Sequence, residues 1–290
     1  MPNNIALFQK YIDVLDEVYK EAAKTAVLDS DATLARAGAN TNEIVIPKLS
    51  MDGLANYSRN SGFVGGSVEM VYETVKFNFD RGRSFTVDAM DNEETAGIAF
   101  GKLASEFIRT KVVPELDAFR FAAYASTEGI SSAAGALASG ANVVTALRTA
   151  TSKMDEDEVP MERRILFITP TLKGMVEDLD TTKSREVMAR FSQVIVVPQS
   201  RFYTGVKLHD GVTGGEEAGG FAKGADGKNI NFLVVSPDAL MQYSKHTVSK
   251  IVAPEANQDA DAWKFMFRSY GLADVYENKV AGIYLHAAAE

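Results

Sequence analysis

Apolar and polar positions change their period several times along the chain, and each period predicts a different element. Residues 5–28 repeat apolar side chains at helical spacing, which predicts one amphipathic helix. Residues 43–49 and 67–79 read as two strands, and the Gly-, Ser- and Asn-rich stretch over residues 50–66 between them is typical of a loop. These segments together predict a long hairpin. A lone two-stranded hairpin is marginally stable in water, so we expect it to rest on other surfaces.

The second strand of this hairpin carries apolar side chains on both of its faces. Val71 and Val75 alternate onto one face, and Met70 and Tyr72 occupy the other. One chain offers too little surface to cover both faces of a projecting strand. We therefore expect half of the strand to pack on its own chain and half on a neighbouring copy.

A helical pattern longer than thirty residues follows, from about Asn92 to Tyr124. Its apolar phase drifts near residues 110–111, and Pro114 removes a backbone donor inside the pattern, so we expect a break or kink there. The part before this point alone would be about 30 Å long at 1.5 Å per residue. The segment predicts a rigid strut.

From residue 126 to about residue 252 short helical and strand patterns alternate, and strand patterns return in the last forty residues. In this region "SPDALMQY" predicts a helix with Ser236 as its N-cap and Pro237 in its first turn. The glycine-rich stretch Gly205–Gly227 predicts a mobile surface loop. The fold class expected from these patterns is α+β.

Composition narrows the possible functions mainly by exclusion. The 290 residues include no cysteine, which rules out disulfides and thiolate chemistry and fits a reducing compartment. The formal net charge of −9 disfavours binding to DNA through bulk electrostatics. Neither a signal peptide nor a sufficiently apolar span is visible, so we expect a soluble protein. The length of 290 residues is enough for one large domain or two modest ones.

An acidic cluster marks the start of the long helical pattern. Asp88, Asp91 and Glu94 follow i,i+3 spacing, so on one helix face they offer the oxygen ligands of a divalent cation. The alternative is that Asp88 caps the helix and the other acids stabilise its positive end. No histidine and no calcium-loop spacing accompanies the acids, so capping is the favoured interpretation.

Just before this cluster, Arg81 and Arg83 flank Gly82 at the place where the strand pattern gives way. The planar guanidinium group suits carboxylate partners, and we expect ion pairs at a domain or subunit junction rather than phosphate binding.

Catalytic patterns do not emerge. The glycine-rich stretch lacks the lysine–serine ending of a phosphate loop and carries two glutamates that repel phosphate. The three histidines are far apart in sequence, and no nucleophile-elbow motif is present. We therefore predict no catalytic, cofactor-binding or metal-ligating residues.

Several strings, in this order, resemble the major capsid proteins of tailed bacteriophages, which have the Hong Kong 97-like coat fold. They are "DGLANYSRNSGFVGGSV", "DRGRSFTVDAMDNEET", "VVPELDAFRFAAYA", "VIVVPQSRFYT", "INFLVVSPDAL" and "DADAWKFMFRSYGLADVYENKVAGIYLH". The resemblance covers residues 40–286 and lies in the order and extent of these strings, because no single string is diagnostic.

The resemblance implies a division of the chain into named parts. These are an N-terminal arm (1–40), an extended loop hairpin (41–86), the spine helix of a peripheral domain (87–125), an axial domain (126–250) and returning strands that are mostly peripheral (251–290). It also implies structural or intersubunit roles for the candidate residues, which are Arg59, Arg81, Arg83, Asp88, Asp91 and Glu94. Arg81, Arg83 and Asp88 would lie where the extended loop meets the spine helix.

The function that the resemblance implies is a non-enzymatic shell subunit. Copies would form hexamers and pentamers of an icosahedral phage head that encloses double-stranded DNA, assembled in the cytoplasm of a bacterial host. A portal is an implied partner, and the short stretch before the hairpin implies either a separate scaffolding protein or none; no membrane and no cofactor are implied. Some relatives cross-link lysine to asparagine between subunits; Lys48 lies at the hairpin, but no partner is identifiable and we do not predict a cross-link.

Three alternatives remain open at this stage. The first is an encapsulin-like nanocompartment shell, which shares the fold and would store a cargo protein. The second is a soluble α/β hydrolase or nucleotide-binding enzyme built on the middle segment. The third is a tail-tube or other filament protein, which would form rods.

Overall fold

The computed structural model describes Tyr19 and residues 22–30, 36–37, 42–94 and 98–289. The amphipathic helix predicted over residues 5–28 lies largely outside the described residues, as does most of the predicted arm. At the described end of that helix, Ala26–Leu28 form a single 3-10 turn.

The described residues contain six α-helices. They are α1 (Ala89–Glu94), α2 (Ile98–Phe107), α3 (Val113–Ala125), α4 (Gly140–Glu156), α5 (Pro170–Glu177) and α6 (Thr182–Met188). A π-helical segment (Ile108–Val112) joins α2 to α3 without interruption. Among the described residues no helix combines the length and the apolar character needed to cross a membrane.

The same residues contain thirteen strands. They are β1 (Arg36–Ala37), β2 (Glu43–Met51), β3 (Val68–Lys76), β4 (Phe79–Asp88), β5 (Ser131–Ala134), β6 (Ile165–Ile168), β7 (Gln193–Val196), β8 (Val206–Leu208), β9 (Phe221–Lys223), β10 (Ile230–Val235), β11 (Leu240–Val252), β12 (Ala262–Val275) and β13 (Ile283–Ala287).

A five-stranded sheet forms the largest core, with the strand order β5-β13-β10-β6-β7. Its three central strands, β13, β10 and β6, are buried on both faces because both faces are covered. Along β10, Phe232 and Val234 face a cluster formed with α4, α5 and α6, whereas Leu233 and Val235 face a cluster that includes Phe121 of α3. The last strand of the chain, β13, lies inside this sheet, beside β10 and β5.

A three-stranded antiparallel sheet of order β11-β12-β4 supports the long helix. Phe265 and Phe267 of β12 pack against Ala104, Ile108 and Val113 on the helix. This packing holds the helix along the sheet and leaves β4 as the edge strand.

The predicted long helix is confirmed within the described residues, but no break occurs at Pro114: the helix continues from Ile98 to Ala125, and its irregularity is a π-helical segment just before the proline. The π segment Ile108–Val112 inserts an extra residue into the turn, which shifts the apolar face and accounts for the phase drift near Thr110. Pro114 lies in the first turn of α3. There its missing N–H is tolerated because the π segment precedes it.

The stretch around Arg81 and Arg83 corrects a prediction. We expected the strand over residues 67–79 to give way there, but β3 ends at Lys76 and a separate strand, β4, begins at Phe79. β4 pairs with β12 over ten residue pairs, from Phe79↔Gly271 to Asp88↔Ala262. The charged residues are therefore strand residues, because long-range pairing outweighs the polar composition of the stretch.

Two further predictions were wrong. The helix expected from Ser236 is only a 3-10 turn over Pro237–Ala239, and the chain then continues as β11, whose length pairs with β12. The loop expected over residues 205–227 contains the antiparallel pair β8–β9. In both places strand pairing with a distant or facing segment overrides the local turn and cap signals.

Candidate functional site: the projecting hairpin and its base

The hairpin predicted from the sequence is formed by β2 and β3. They pair antiparallel through nine residue pairs, from Glu43↔Lys76 to Met51↔Val68. At about 3.3 Å per residue the paired region is about 30 Å long. Among the described residues, β1 adds a third strand only near the base, opposite Ile44 and Val45.

The base of the hairpin is buried in its own chain. Ile44, Ile46 and Val75 are each less than a tenth exposed. They form an apolar cluster with Met241 and Tyr243 of β11 and with Leu272 of β12. Of β3, the strand we expected to rest half on its own chain, only the base around Val75 is buried in this chain, so that expectation is confirmed for the base of the strand alone.

The distal half is uncovered on both faces. Ten apolar side chains there are more than half exposed: Leu49, Met51, Leu54, Tyr57, Phe63, Val64, Val68, Met70, Val71 and Tyr72. Soluble monomers rarely leave contiguous apolar patches of more than a few hundred Å² in water, and such patches mark interaction sites. Packing of this half on a neighbouring copy stays a prediction.

The tip of the hairpin is organised by its own contacts. The Asp52 carboxylate accepts a hydrogen bond from the Ser67 N–H at 2.7 Å, which closes the loop. Within it the rings of Tyr57 and Phe63 meet edge to face, with centroids 4.9 Å apart. Arg59 is exposed in this tip, and no ion pair joins it to another described residue. The tip is an apolar knob, and Arg59 lies apart from the other predicted site residues.

Two contacts that the sequence reasoning missed fasten the hairpin to the body. The Asn78 side-chain amide, between β3 and β4, donates to Ala273 O at 2.8 Å and accepts from Ala273 N at 3.1 Å, so it imitates one rung of a strand pair. Lys48 Nζ lies 3.0 Å from Glu277 Oε2, and this hydrogen bond raises the pKa of Lys48. Both contacts fix the direction in which the hairpin leaves the sheet.

Arg81 makes the ion pair that its residue type predicted. Its Nε donates to Glu115 Oε1 at 2.6 Å, and both side chains are largely buried. The pair joins the edge strand β4 to the first turn of α3. Arg81 also donates to Gly220 O at 3.4 Å. Gly220 lies in the segment that joins β8 to β9, and these two strands with their connection are here called the glycine-rich hairpin.

Arg83, for which we also expected an ion pair, instead bonds a backbone carbonyl between β8 and β9, and no carboxylate of the described residues pairs with it. Its guanidinium donates to Glu217 O at 3.0 Å. It lies against Gly211 and Gly219, both in the left-handed region at φ +78° and +67°, and a Cβ on Gly211 would come within 2.9 Å of the Arg83 guanidinium. Glycine at these positions therefore makes room for the arginine.

The opposite face of β4 carries an ion pair to the neighbouring strand, β12. Arg268 of β12 donates two hydrogen bonds, of 2.9 and 2.7 Å, to the two carboxylate oxygens of Asp80. These bonds lower the pKa of Asp80. Gly82 lies opposite Arg268 in the strand register. A Cβ on Gly82 would come within 2.8 Å of Phe267 O, which explains the glycine of the "RGR" string.

The acidic cluster lies at the start of α1. Asp88 is the last residue of β4, and its Oδ1 accepts a hydrogen bond from Met90 N at 2.9 Å, as a helix N-cap does. Asp91 follows in the first turn and Glu94 is the last residue of α1. Within the described part of the chain, no three acidic or histidine side chains are placed to share a metal ion.

An open groove of about 610 Å³ runs beside this junction. β4, the helix from Leu103 to Glu115 and the glycine-rich hairpin form its walls. Phe85 and Phe107 supply an apolar floor, where their rings meet edge to face at 4.7 Å. The predicted candidates thus fall into two groups, one at the tip (Arg59) and one along β4 and the start of α1.

Comparison with known proteins shows the fold. No family model and no curated protein matches the sequence. Among solved structures, the capsid of Staphylococcus phage Andhra superposes with a TM-score of 0.57 at 13% identity, covering 90% of this chain and 84% of that one. The capsid of the cyanophage P-SCSP1u gives 0.55 at 12%, covering 88% and 86%. A virus-like particle from Pyrococcus furiosus gives 0.59 at 12%, covering 97% and 99%.

These similarities extend over nearly the whole chain and place it in one structural class. The chain is an α+β protein with the fold of phage capsid subunits. More particularly, its projecting hairpin, long helix and sheets make up the Hong Kong 97-like fold that the sequence resemblance implied.

Proposed function

We propose that this chain is a major capsid protein whose copies assemble into the icosahedral head shell of a tailed phage. The observation that carries the proposal is the distal half of the hairpin, with ten largely exposed apolar side chains on an otherwise ordinary soluble surface. Covering such a surface removes apolar area from water at about 25 cal/mol per Å², a gain available only when a second molecule packs there.

The arrangement of the hairpin supports assembly into a closed shell rather than a symmetric pair. The exposed half projects about 30 Å from the base where it is anchored. A copy that inserts this half onto a different surface of its neighbour makes a head-to-tail contact. Contacts of that kind generate rings when the rotation closes and open filaments when it does not. The similarity to capsid structures favours the closed form here. The long helix of the neighbouring copy is the surface we propose to receive it.

The finer parts of the proposal follow from the implied role. Copies form hexamers and pentamers, a portal and a scaffolding protein assist assembly in the host cytoplasm, and the finished shell is the virion head. The shell encloses double-stranded DNA without sequence-specific contacts, consistent with a net charge of −9 that provides no bulk attraction for nucleic acid. The subunit acts as structure and not as an enzyme.

A compartment that holds protein cargo is the second candidate. It is the alternative that the sequence left open, and the similarity to a virus-like particle over 97% of this chain fits either content of the shell. The two functions differ in content and not in the contact that closes the shell. Particles that contain nucleic acid support the phage head, and particles that contain a co-purifying protein support the compartment.

The test compares the same substitution at two exposed valines, one inside the proposed contact and one outside it. Val68 lies in the distal hairpin and Val212 in the glycine-rich hairpin, exposed by 69% and 84%. We expect Val68→Asp to shift sedimentation from shell-sized to capsomer or monomer species, because it buries a charge in every copy-to-copy contact.

Val212→Asp adds the same charge outside the proposed contact and should sediment as the unchanged protein does. Equal sedimentation of the two variants as closed particles would contradict the role of the hairpin. A strictly monomeric unchanged protein, even with its scaffold partner present, would contradict the shell function as a whole.

A further inference from the structure

Residues 23–30, here called the strap, cross from one apolar core of the body to another. Ala23 packs in the cluster around Ile108 of the long helix. Leu28, fully buried, packs in the cluster around Phe121 beside the five-stranded sheet. The strap therefore touches both cores although it belongs to neither sheet.

Asp117 of α3 holds the first end of the strap. Its carboxylate is fully buried and accepts hydrogen bonds from the backbone N–H of Lys24 at 3.0 Å and of Thr25 at 3.1 Å. The Thr25 hydroxyl donates to the same carboxylate at 2.7 Å. Arg201, just after strand β7, donates to the Asp117 carboxylate at 3.0 Å and compensates its negative charge.

Gln242 of β11 holds the middle of the strap. Its side-chain N–H₂ group donates to Thr25 O and to Asp29 Oδ1, each at 2.7 Å, and its side-chain oxygen accepts from Tyr124 Oη at 2.5 Å. Gln242 is itself fully buried. A single side chain thus joins the strap, α3 and β11.

Ser30 holds the far end. Its N–H donates to Gln242 O at 3.0 Å, and its hydroxyl accepts from Gln242 N and donates to Leu240 O, each at 3.0 Å. The backbone of the strap is therefore bonded at both ends by different elements.

These bonds depend on one another because single groups serve several partners. The Thr25 hydroxyl donates to Asp117 and at the same time accepts from Arg120, which is nearly fully buried, at 2.9 Å. Loss of any one strap contact leaves a buried carboxylate, guanidinium or amide short of a partner. Buried polar groups without partners are costly, so a half-detached strap is less favourable than either a fully attached or a fully released one.

We propose that the strap is an all-or-none latch, in which the bonds of residues 23–30 to Asp117, to Gln242 and to the backbone of Leu240 form together or not at all. Release would separate the strap from α3 and β11 while the two sheets keep their own cores. The chain would then have two discrete states, one with the strap held and one with it free. This inference is independent of the proposed function, because it rests only on contacts within one chain.

Hydrogen–deuterium exchange on the full-length protein tests the latch, because the N–H groups of Lys24, Thr25, Leu28 and Ser30 are all hydrogen-bonded in the held state. Thr25→Val keeps the shape of the side chain and removes the hydroxyl. We expect exchange to rise at both ends of the strap by about tenfold or more, the factor that corresponds to about 1.4 kcal/mol.

The matched control is Thr151→Val. Thr151 is equally buried, but its hydroxyl donates only to Arg148 O inside α4, so strap exchange should stay unchanged. Ser30→Ala perturbs the opposite end, and the latch predicts that it raises exchange at Lys24 and Thr25 by a similar factor. An increase confined to the end that was changed, in either variant, would show local fraying and overturn the proposal.

Discussion

The distal half of the hairpin and the strap both lie at the margins of the body, and they differ in what their side chains contact. In the hairpin half, residues such as Phe63, at 90% exposed, and Leu54, fully exposed, have no covering surface within the chain. In the strap, Thr25 and Leu28 are fully buried, and the polar groups around them are satisfied by the body.

The difference separates what one chain completes by itself from what it leaves for another. A segment whose backbone and side chains find partners in its own body contributes to the stability of the single copy. A segment that projects apolar side chains into water contributes nothing of that kind until a second copy covers it. Changes in the strap should therefore alter folding, and changes in the hairpin tip should alter assembly.

The largest expected effect is the loss of shells when the tip is removed. Replacing residues 52–67 with an Asn-Gly turn joins β2 to β3 directly and deletes Leu54, Tyr57 and Phe63. Because the contact recurs in every copy, electron microscopy should find no closed particles. Circular dichroism and the melting temperature should stay near those of the unchanged protein, since the tip adds nothing to either core.

A control that substitutes alanine for Asn56 and Asn60 alters the same loop and keeps its apolar side chains, so it should still assemble. Normal shells from the tip replacement would remove the hairpin from the contact. Failure of that variant to fold would instead assign the tip to the core of the single copy.

Next in size is the expected loss of folding stability from Asp117→Ala. It removes the acceptor of four hydrogen bonds and leaves Arg201 with an unpaired charge. Breaking a buried, paired charge costs about 3–5 kcal/mol. Urea unfolding of unassembled protein should report a loss of that size.

Asp238→Ala removes an acidic side chain from an exposed pair with Arg163. Such surface pairs contribute about 0–1 kcal/mol, so little change is expected. Similar losses for the two variants would mean that the strap is held by general packing and not by Asp117.

The smallest expected effect is at the start of α1, where strand β4 meets the helix. Asp88→Ala deletes the acceptor for Met90 N and should lower the free energy of unfolding by about 1 kcal/mol. Asp88→Asn keeps an oxygen in that place and should lose less. If the order of these two variants were reversed, the carboxylate would have a role other than capping.

Features carried by local pattern were predictable from the sequence. The hairpin strands, the long helix and the irregularity before Pro114 each follow from periodicity or from the chemistry of one residue. The apolar side chains on both faces of β3 also indicated in advance that its own chain would cover only part of it. The helix expected at Ser236 was wrong because pairing of β11 with β12, a long-range term, outweighs a local cap signal.

The contacts that fix the hairpin base and the strap were not predictable for the same reason. Asp117 and Thr25 are 92 residues apart, and Asp117 and Arg201 are 84 apart, so no spacing rule connects them. Arg83 bonds a backbone carbonyl at Glu217, and Asn78 bonds the backbone of Ala273. Backbone groups occur at every residue, so the sequence does not mark which of them becomes a partner.

Photo-cross-linking from the tip tests the central claim directly, because it asks what the tip touches in assembled material. A photo-reactive phenylalanine analogue in place of Phe63 keeps an aromatic ring at a position of the tip that is 90% exposed. We expect irradiated particles to yield covalent dimers, with the linked peptide derived from the long helix of a different copy. The same analogue at Val212 should yield none. Closed particles in which position 63 forms no link to another copy would contradict the assignment of the hairpin as the contact between subunits.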